Sequence, residues 1–247
     1  MTPSLGELYI ASDSDPAPIV AFLRGLAEEY ALPQPLRVLD VGCGPGRLLG
    51  PLERLRWEVT GMEPNADFRA SAREAAGGSR RVRVRGGGFG EIDDHAAFDL
   101  VVGINSSFAH LITPAERADA LRRVHAALRP GGVVFLDLPN FLWILRNYRA
   151  PEPFAFTAQG HVVTLDRKHE IDFHNAVFHT TDDYVFEATG RSESRLVHSY
   201  GITTFAELRF HLDEAGFEEP RTFAGYGAET ERLSGPRMLI AARRPAE

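Results

Sequence analysis

Apolar residues along the first 139 positions of this chain alternate between two spacings. Ile19, Val20, Phe22, Leu23 and Leu26 recur at helical intervals down to about Tyr30, after a start set up by Asp13 to Pro18. Pro33 and Pro35 then break the chain, and Val38, Leu39 and Val41 form a short apolar run around Asp40. Such a run is the pattern of a strand covered on both faces. Further short strand-like stretches follow at Trp57–Gly61, Val82–Val84, Phe98–Val102 and Val133–Leu138. Between them lie helical stretches from about Arg47, from Asn65 to Ala76, and from Thr113 to Leu128. Thr113-Pro114-Ala115-Glu116 is a capping box with proline at the first helical position. Strands alternating with helices predict a parallel sheet wound on both sides.

The pattern changes after about Asn140. Beyond a short helical piece from Phe141 to Tyr148, the runs His161–Leu165, Ile171–Thr180, Tyr184–Thr189 and Ser194–Tyr200 are rich in aromatic and β-branched residues. They read as successive antiparallel strands, joined by turn-forming pieces such as Thr181-Asp182-Asp183 and Thr189-Gly190-Arg191. A second capping box, Thr204 to Glu207, then opens a helix ending at Gly216. Phe217–Tyr226 and Met238–Ala242 supply two last strands. The expected division is a core of residues 1–139 and 200–247, with 1–32 as an N-terminal arm and helix, and an inserted β lid at 140–199. The lid is also a candidate dimerisation surface.

Composition narrows the partners. With 44% hydrophobic and 25% charged residues among 247, the chain is an ordinary globular protein with room for one sizeable core. A net charge of −7 argues against a nucleic-acid partner. The basic run Arg80 to Arg85 alternates with valines and reads as the solvated face of a strand. The single cysteine, Cys43, allows no internal disulfide and fits a reducing, cytoplasmic setting. No apolar run approaches the roughly 20 residues that span a bilayer, and the N-terminus lacks the marks of a signal peptide.

Chemistry enters at Gly42-Cys43-Gly44-Pro45-Gly46, directly after the first strand. Three alternating glycines leave bare backbone for a ligand to approach, and a helix start just beyond would turn free N–H groups toward it. The dinucleotide fingerprint G-x-G-x-x-G has its third glycine one position later, so this is a different site. The pattern Leu39-Asp40-Val41-Gly42-Cys43-Gly44-Pro45-Gly46 resembles the first motif of class I S-adenosylmethionine-dependent methyltransferases. Phe98-Asp99-Leu100-Val101-Val102 resembles the fourth strand of that family, Leu128-Arg129-Pro130-Gly131-Gly132 the turn into the fifth, and the C-terminal helix–strand–loop–strand its ending. The resemblance covers residues 36–139 and 200–244, and the lid only in kind.

The resemblance implies a doubly wound, mostly parallel seven-stranded sheet with an antiparallel last strand. It also implies S-adenosylmethionine as cofactor, S-adenosylhomocysteine as product, and a small molecule as methyl acceptor. Cofactor contacts then fall to Asp40, Gly42, Gly44, Gly46, Glu63, Pro64, Gly88, Phe89, Asn105 and Ser106. Glu63, ending the second strand, is placed to accept hydrogen bonds from both ribose hydroxyls. Gly88 stands where the family often carries an acid for the adenine amine, so backbone and Phe89 would serve there. Asn105-Ser106-Ser107-Phe108 differs from the Asn-Pro-Pro-Tyr of nucleic-acid and protein methylating members, which favours a small acceptor.

Tyr9, His110, Phe178 and Tyr200 are candidates to face that acceptor, and His198 and then His174 to act as base. The spacing of the lid histidines does not suit a metal, and none is expected. Two other functions stay open on the sequence: a nicotinamide-dependent oxidoreductase, and a non-catalytic cofactor-binding module with protein partners.

Overall fold

A computed structural model of the chain describes residues 3–12, 15–223, 225–227, 229–230 and 232–247. The central sheet is built from β1 (Arg37–Val41), β2 (Glu58–Met62), β3 (Val82–Arg85), β4 (Phe98–Gly103), β5 (Leu128–Pro139), β10 (Arg221–Phe223) and β11 (Arg237–Arg243). Its order is β10-β11-β5-β4-β1-β2-β3. The first five strands run parallel, whereas β11 lies antiparallel between β5 and β10. This is the expected doubly wound sheet with an antiparallel last strand.

Helices α2 (Ala17–Glu29), α3 (Leu49–Arg54), α4 (Ala66–Ala75), α5 (Pro114–Ala127) and α7 (Phe205–Glu214) cover the sheet. One face buries Leu23, Leu36, Val38, Leu49 and Leu100; the other buries Leu39, Val101, Leu121, Val134 and Leu208. Alternate residues of β1 and β4 thus feed two separate cores. Thr113 and Glu116 form the expected capping box, whereas Thr204 accepts the Glu207 N–H but the Glu207 carboxylate turns to Arg117 and leaves the second box half made.

Between β5 and α7 come a short α6 (Phe141–Arg146) and a separate antiparallel sheet. Its strands β6 (Phe154–Ala158), β7 (His161–Asp172), β8 (Val177–Phe186) and β9 (Arg191–Gly201) lie in chain order. Here two expectations need correction. Ile171–Thr180 is not one strand, because Asp172 accepts the N–H groups of His174 and Asn175, both at 3.0 Å, and turns the chain between β7 and β8. Thr181-Asp182-Asp183 is not a turn but the middle of β8. Arg167 on β7 grips the buried Asp182 through two 2.6 Å bonds, and Arg195 on β9 grips Asp183, so both charges are paired across strands.

Three further departures bear on the site. The N-terminal arm contains a helix, α1 (Leu5–Ser12), with Leu8 fully buried. The strand expected at 217–226 is only the three residues of β10. Helix α3 starts at Leu49, not near Arg47, so a turn rather than a helix end follows the glycines.

Candidate functional site

At the C-terminal ends of β1, β2 and β4 lies a cavity of about 560 Å³, bordered by the glycine turn, α1, the start of α4 and β9. Strand ends at the point where a parallel sheet reverses its order are where such folds hold ligands. Gly42, Gly44 and Gly46 all have left-handed backbones, at φ +74°, +57° and +91°. Their roles separate by what a side chain would meet. A Cβ on Gly42 would lie 2.5 Å from Ser107 Cβ, and one on Gly46 2.9 Å from Ala72 Cα. Those two glycines let the turn pack against the end of β4 and against α4. Gly44 has no atom within 4 Å of such a Cβ and borders the cavity. Gly46 lies one step behind the residues that border the cavity, packed against Ala72 and Leu49.

Two carboxylates stand behind the turn. Glu63 is nearly buried, and its two oxygens accept the N–H of Gly44 at 2.9 Å and of Asn65 at 2.8 Å. Burial raises its pKa, while those N–H groups and Arg69 oppose the rise. Asp40 is buried, and its Oδ2 has no hydrogen-bond partner. Burial, and then the nearby Glu63, pushes its carboxyl up to about 7, with Arg47 pulling the other way. An unpartnered buried carboxylate in a cavity wall is costly without a cation to pair it. Burial also raises the Cys43 thiol, so that group is not an activated nucleophile.

On the third-strand side, Gly88, Phe89 and Pro64 reach the cavity as expected. Phe89 is held edge-on against Phe108, with ring centroids 5.1 Å apart, where Gly103 leaves room for its ring. Glu91, beside Gly88, borders the cavity and accepts the Gly88 N–H at 2.8 Å. Its sequence signal is its position three residues after Gly88, at the end of a tight 3-10 turn.

The end of β4 is clamped from β5 and β11. Asn105 and Ser106 both have left-handed backbones. Asp137 holds them there: its carboxylate accepts the Asn105 N–H at 3.1 Å, and its carbonyl accepts that of Ser106 at 2.9 Å. Asp137 is itself gripped by Arg237 Nε at 2.7 Å and by the Tyr226 hydroxyl at 2.6 Å. Asn105 consequently borders the cavity and donates to the Tyr9 hydroxyl at 2.9 Å, tying α1 over the site. Ser106 turns away and accepts from Arg237, and it is Ser107 that borders the cavity, a correction to the expected contact.

The histidines separate clearly. His198 and His110 both border the cavity, with ring centroids 5.2 Å apart. Tyr200 stacks beside both, at 5.7 Å from His198 and 4.8 Å from His110. His110 Nδ1 lies 3.2 Å from the Ser199 carbonyl, so Nδ1 carries the proton and Nε2 is left with a lone pair. Burial lowers the pKa of His110; burial, then His110, lowers that of His198 to about 4. Burial raises Tyr200 to about 12. His174 and Phe178 do not join this group. His174 is exposed in the β7–β8 turn, and Phe178 is buried between Phe141 and His169, at 5.5 and 4.8 Å.

The strand order, the glycine turn and the acid just after β2 are arranged as in the fold of class I methyltransferases. Residues 38–132 match the family described as the methyltransferase domain. Over 109 residues it is 33% identical to a ubiquinone biosynthesis O-methyltransferase of Bradyrhizobium sp. (strain ORS 278), covering 44% of this chain and 42% of the relative. Over 124 residues it is 34% identical to a trans-aconitate 2-methyltransferase of Rhodopseudomonas palustris (strain BisB18), covering 48% of this chain and 44% of the relative. The chain therefore matches less than half the length of these curated relatives. Among solved structures, the sugar N-methyltransferase KedS8 from Streptoalloteichus superposes with a TM-score of 0.79 at 22% identity, covering 99% of this chain and 94% of that one. The S-adenosylmethionine-bound amino pentose methyltransferase CalS10 from Micromonospora echinaspora does so with a TM-score of 0.75 at 23% identity, covering 99% and 98%. Among the described residues, no helix is long and apolar enough to cross a membrane.

Proposed function

We propose that this protein binds S-adenosylmethionine in the cavity and transfers its methyl group to an amine nitrogen of a small molecule. The observation that carries the cofactor is Asp40, a buried carboxylate with an unpartnered oxygen in the same wall as Glu63 and the bare backbone of Gly44. Asp40 suits the cofactor's ammonium, and Glu63, already fixed by two N–H groups, has lone pairs left for ribose hydroxyls. Glu91 and Phe89 fit the adenine end. When bound, S-adenosylmethionine supplies an electrophilic methyl on a sulfonium. The chain's own residues exclude water, align the acceptor and take a proton from it.

Two features favour an amine. The wall of the cavity carries the carboxylate of Glu116, which attracts a cation. His110 presents Nε2 as a proton acceptor, readying an ammonium for attack by freeing its lone pair. His198, pushed to about 4, is the weaker base and fits better as a wall that keeps the His110 ring in place. The structural relative named a sugar N-methyltransferase points the same way, whereas the curated sequence relative named an O-methyltransferase leaves oxygen as the second reading. The oxidoreductase alternative is not favoured, since each relative named above is a methyltransferase. Residues 140–199 as a lid that also pairs two chains, and a cytoplasmic location, complete this reading. Light scattering of the purified protein tests the pairing, and cell fractionation the location.

Calorimetric titration with S-adenosylhomocysteine tests the cofactor. Asp40 must be charged to pair an ammonium, and below about pH 7 it is increasingly neutral. Affinity is therefore expected to fall as pH drops, by about tenfold between pH 8 and pH 6. No binding at any pH removes the proposal, and a flat profile removes Asp40 from the site. Glu63→Ala is expected to weaken the same binding by about 1–3 kcal/mol, the cost of losing hydrogen bonds to a charged acceptor. Unchanged affinity takes Glu63 out of the ribose contact. Transfer of a labelled methyl group to a panel of small amines and alcohols separates nitrogen from oxygen.

A further inference from the structure

Three consecutive residues of β9, Leu196, Val197 and His198, border the cavity. Successive side chains on a strand point to opposite faces of the sheet. A wall made of all three is therefore the strand's edge. β9 is the last strand of its sheet, so no further strand pairs with that edge.

Two hydrogen bonds fix which residues turn outward. Ile202 N–H donates to the Ala176 carbonyl at 2.8 Å, continuing the β8–β9 register. Antiparallel pairs alternate between bonded and non-bonded, so Tyr200 and His198 also direct their backbone groups to β8. Ser199 has the opposite parity, and its carbonyl faces His110 Nδ1 at 3.2 Å. The register runs without a shift from Gly201 to Ser194. Val197, two residues from Ser199, thus presents both its N–H and its C=O outward.

Elsewhere this edge is covered. Gly201 abuts the carbonyls of Leu111 and Ile112, where a Cβ would come within 2.6 and 2.8 Å. At Val197 the edge is open: the residue is 60% exposed, and among the described residues no backbone bond outside the ladder reaches it.

We propose that the Val197 backbone docks an acceptor that carries a residue flanked by two secondary amides, a short peptide-like molecule laid along β9 as an added strand. This rests on the methyl-transfer reading of the same cavity. One residue's outward N–H and C=O match the C=O and N–H of one facing amide residue, which is how strand addition gains affinity. His198 and His110 follow Val197 along the wall, so an amine at one end of the docked molecule reaches the Nε2 of His110. Glu116, also in the cavity wall, draws in that cationic end.

The test uses 15N-labelled protein with saturating S-adenosylhomocysteine, titrated with N-acetylalanine N′-methylamide. The Val197 amide resonance is expected to shift saturably. The counterpart with an ester oxygen in place of one amide N–H is expected to bind about fivefold more weakly, the loss of one hydrogen bond. Val197→Pro removes the outward N–H without taking a ladder bond, a position that tolerates proline. It is expected to weaken diamide binding about fivefold to tenfold, with unchanged S-adenosylhomocysteine affinity reporting an intact fold. Equal binding of amide and ester, or a Val197 resonance that stays still, overturns the proposal, and both are read on the unaltered protein. So does an amino sugar glycoside that shifts Val197 where the diamide does not. If S-adenosylhomocysteine fails to bind while the diamide still shifts Val197, the methyl-transfer reading falls and the docking edge stands.

Discussion

Replacing His110 with alanine is expected to lower kcat by roughly 10²–10⁴, the usual range for removing a positioned proton acceptor. Cofactor affinity should stay close to that of the unaltered protein, because Asp40 and Glu63 hold the other end of the cavity. The argument lies in the tautomer. The Ser199 carbonyl accepts a hydrogen bond from Nδ1–H, so the lone pair on Nε2 is available and the ring cannot turn without losing that bond. The pH profile carries the same signature. Burial lowers the His110 pKa below the ordinary imidazole value of 6.5, so the neutral ring persists to lower pH. The acid limb of kcat is therefore expected below pH 6.5, and it should vanish in His110→Ala. A variant that keeps full kcat, measured with the best acceptor from the panel, would show that alignment alone drives the reaction.

Gly42→Ala is expected to destabilise the protein by about 2–5 kcal/mol. A left-handed backbone costs a side-chain-bearing residue about 1–2 kcal/mol, and forcing atoms into a packed site about 1–3 more. Both apply at Gly42, with φ +74° and Ser107 Cβ only 2.5 Å from the added carbon. In thermal unfolding this is a drop of roughly 5–15 °C for a chain of this size. Gly44→Ala is the informative partner. It has the backbone term but an open environment, so it should lose less stability and yet lose ligand binding, because its added carbon enters the cavity. Equal melting temperatures for the two variants would show that Ser107 yields readily to the new methyl group.

The parts of the site that were legible in the sequence are those encoded by neighbours in the chain. The glycine turn follows directly on β1, and Glu63 follows directly on β2 just before the N-cap of α4, so a short window contained both. What was missed depends on partners far away. Asp182 and Asp183 look like turn residues until Arg167 and Arg195, 15 and 12 positions distant, neutralise them within a sheet. β6 lies between Pro153 and Gly160 with Phe154 exposed at an edge, so burial left no alternation to read there. Ser106 was separated from Ser107 only by Arg237 on β11. The outward edge at Val197 has no side-chain signature, since it is a property of backbone parity.

Helix α1 shows the same dependence on distant segments, and it bears on how the molecule unfolds. Leu8 is fully buried in a cluster with Phe68 of α4, Val163 and Leu165 of β7, Tyr184 and Phe186 of β8, and Leu196 of β9. Glu7 adds a 2.8 Å bond to Gln159 beside β6, and Gly6 lies flush against Ser71 of α4. The second sheet therefore does not own the core that stabilises it; it shares one with the N-terminal arm and with α4. Cooperativity is the expected consequence: removing the first dozen residues uncovers apolar surface on strands more than 140 positions away, so the arm, α4 and the second sheet are expected to unfold together.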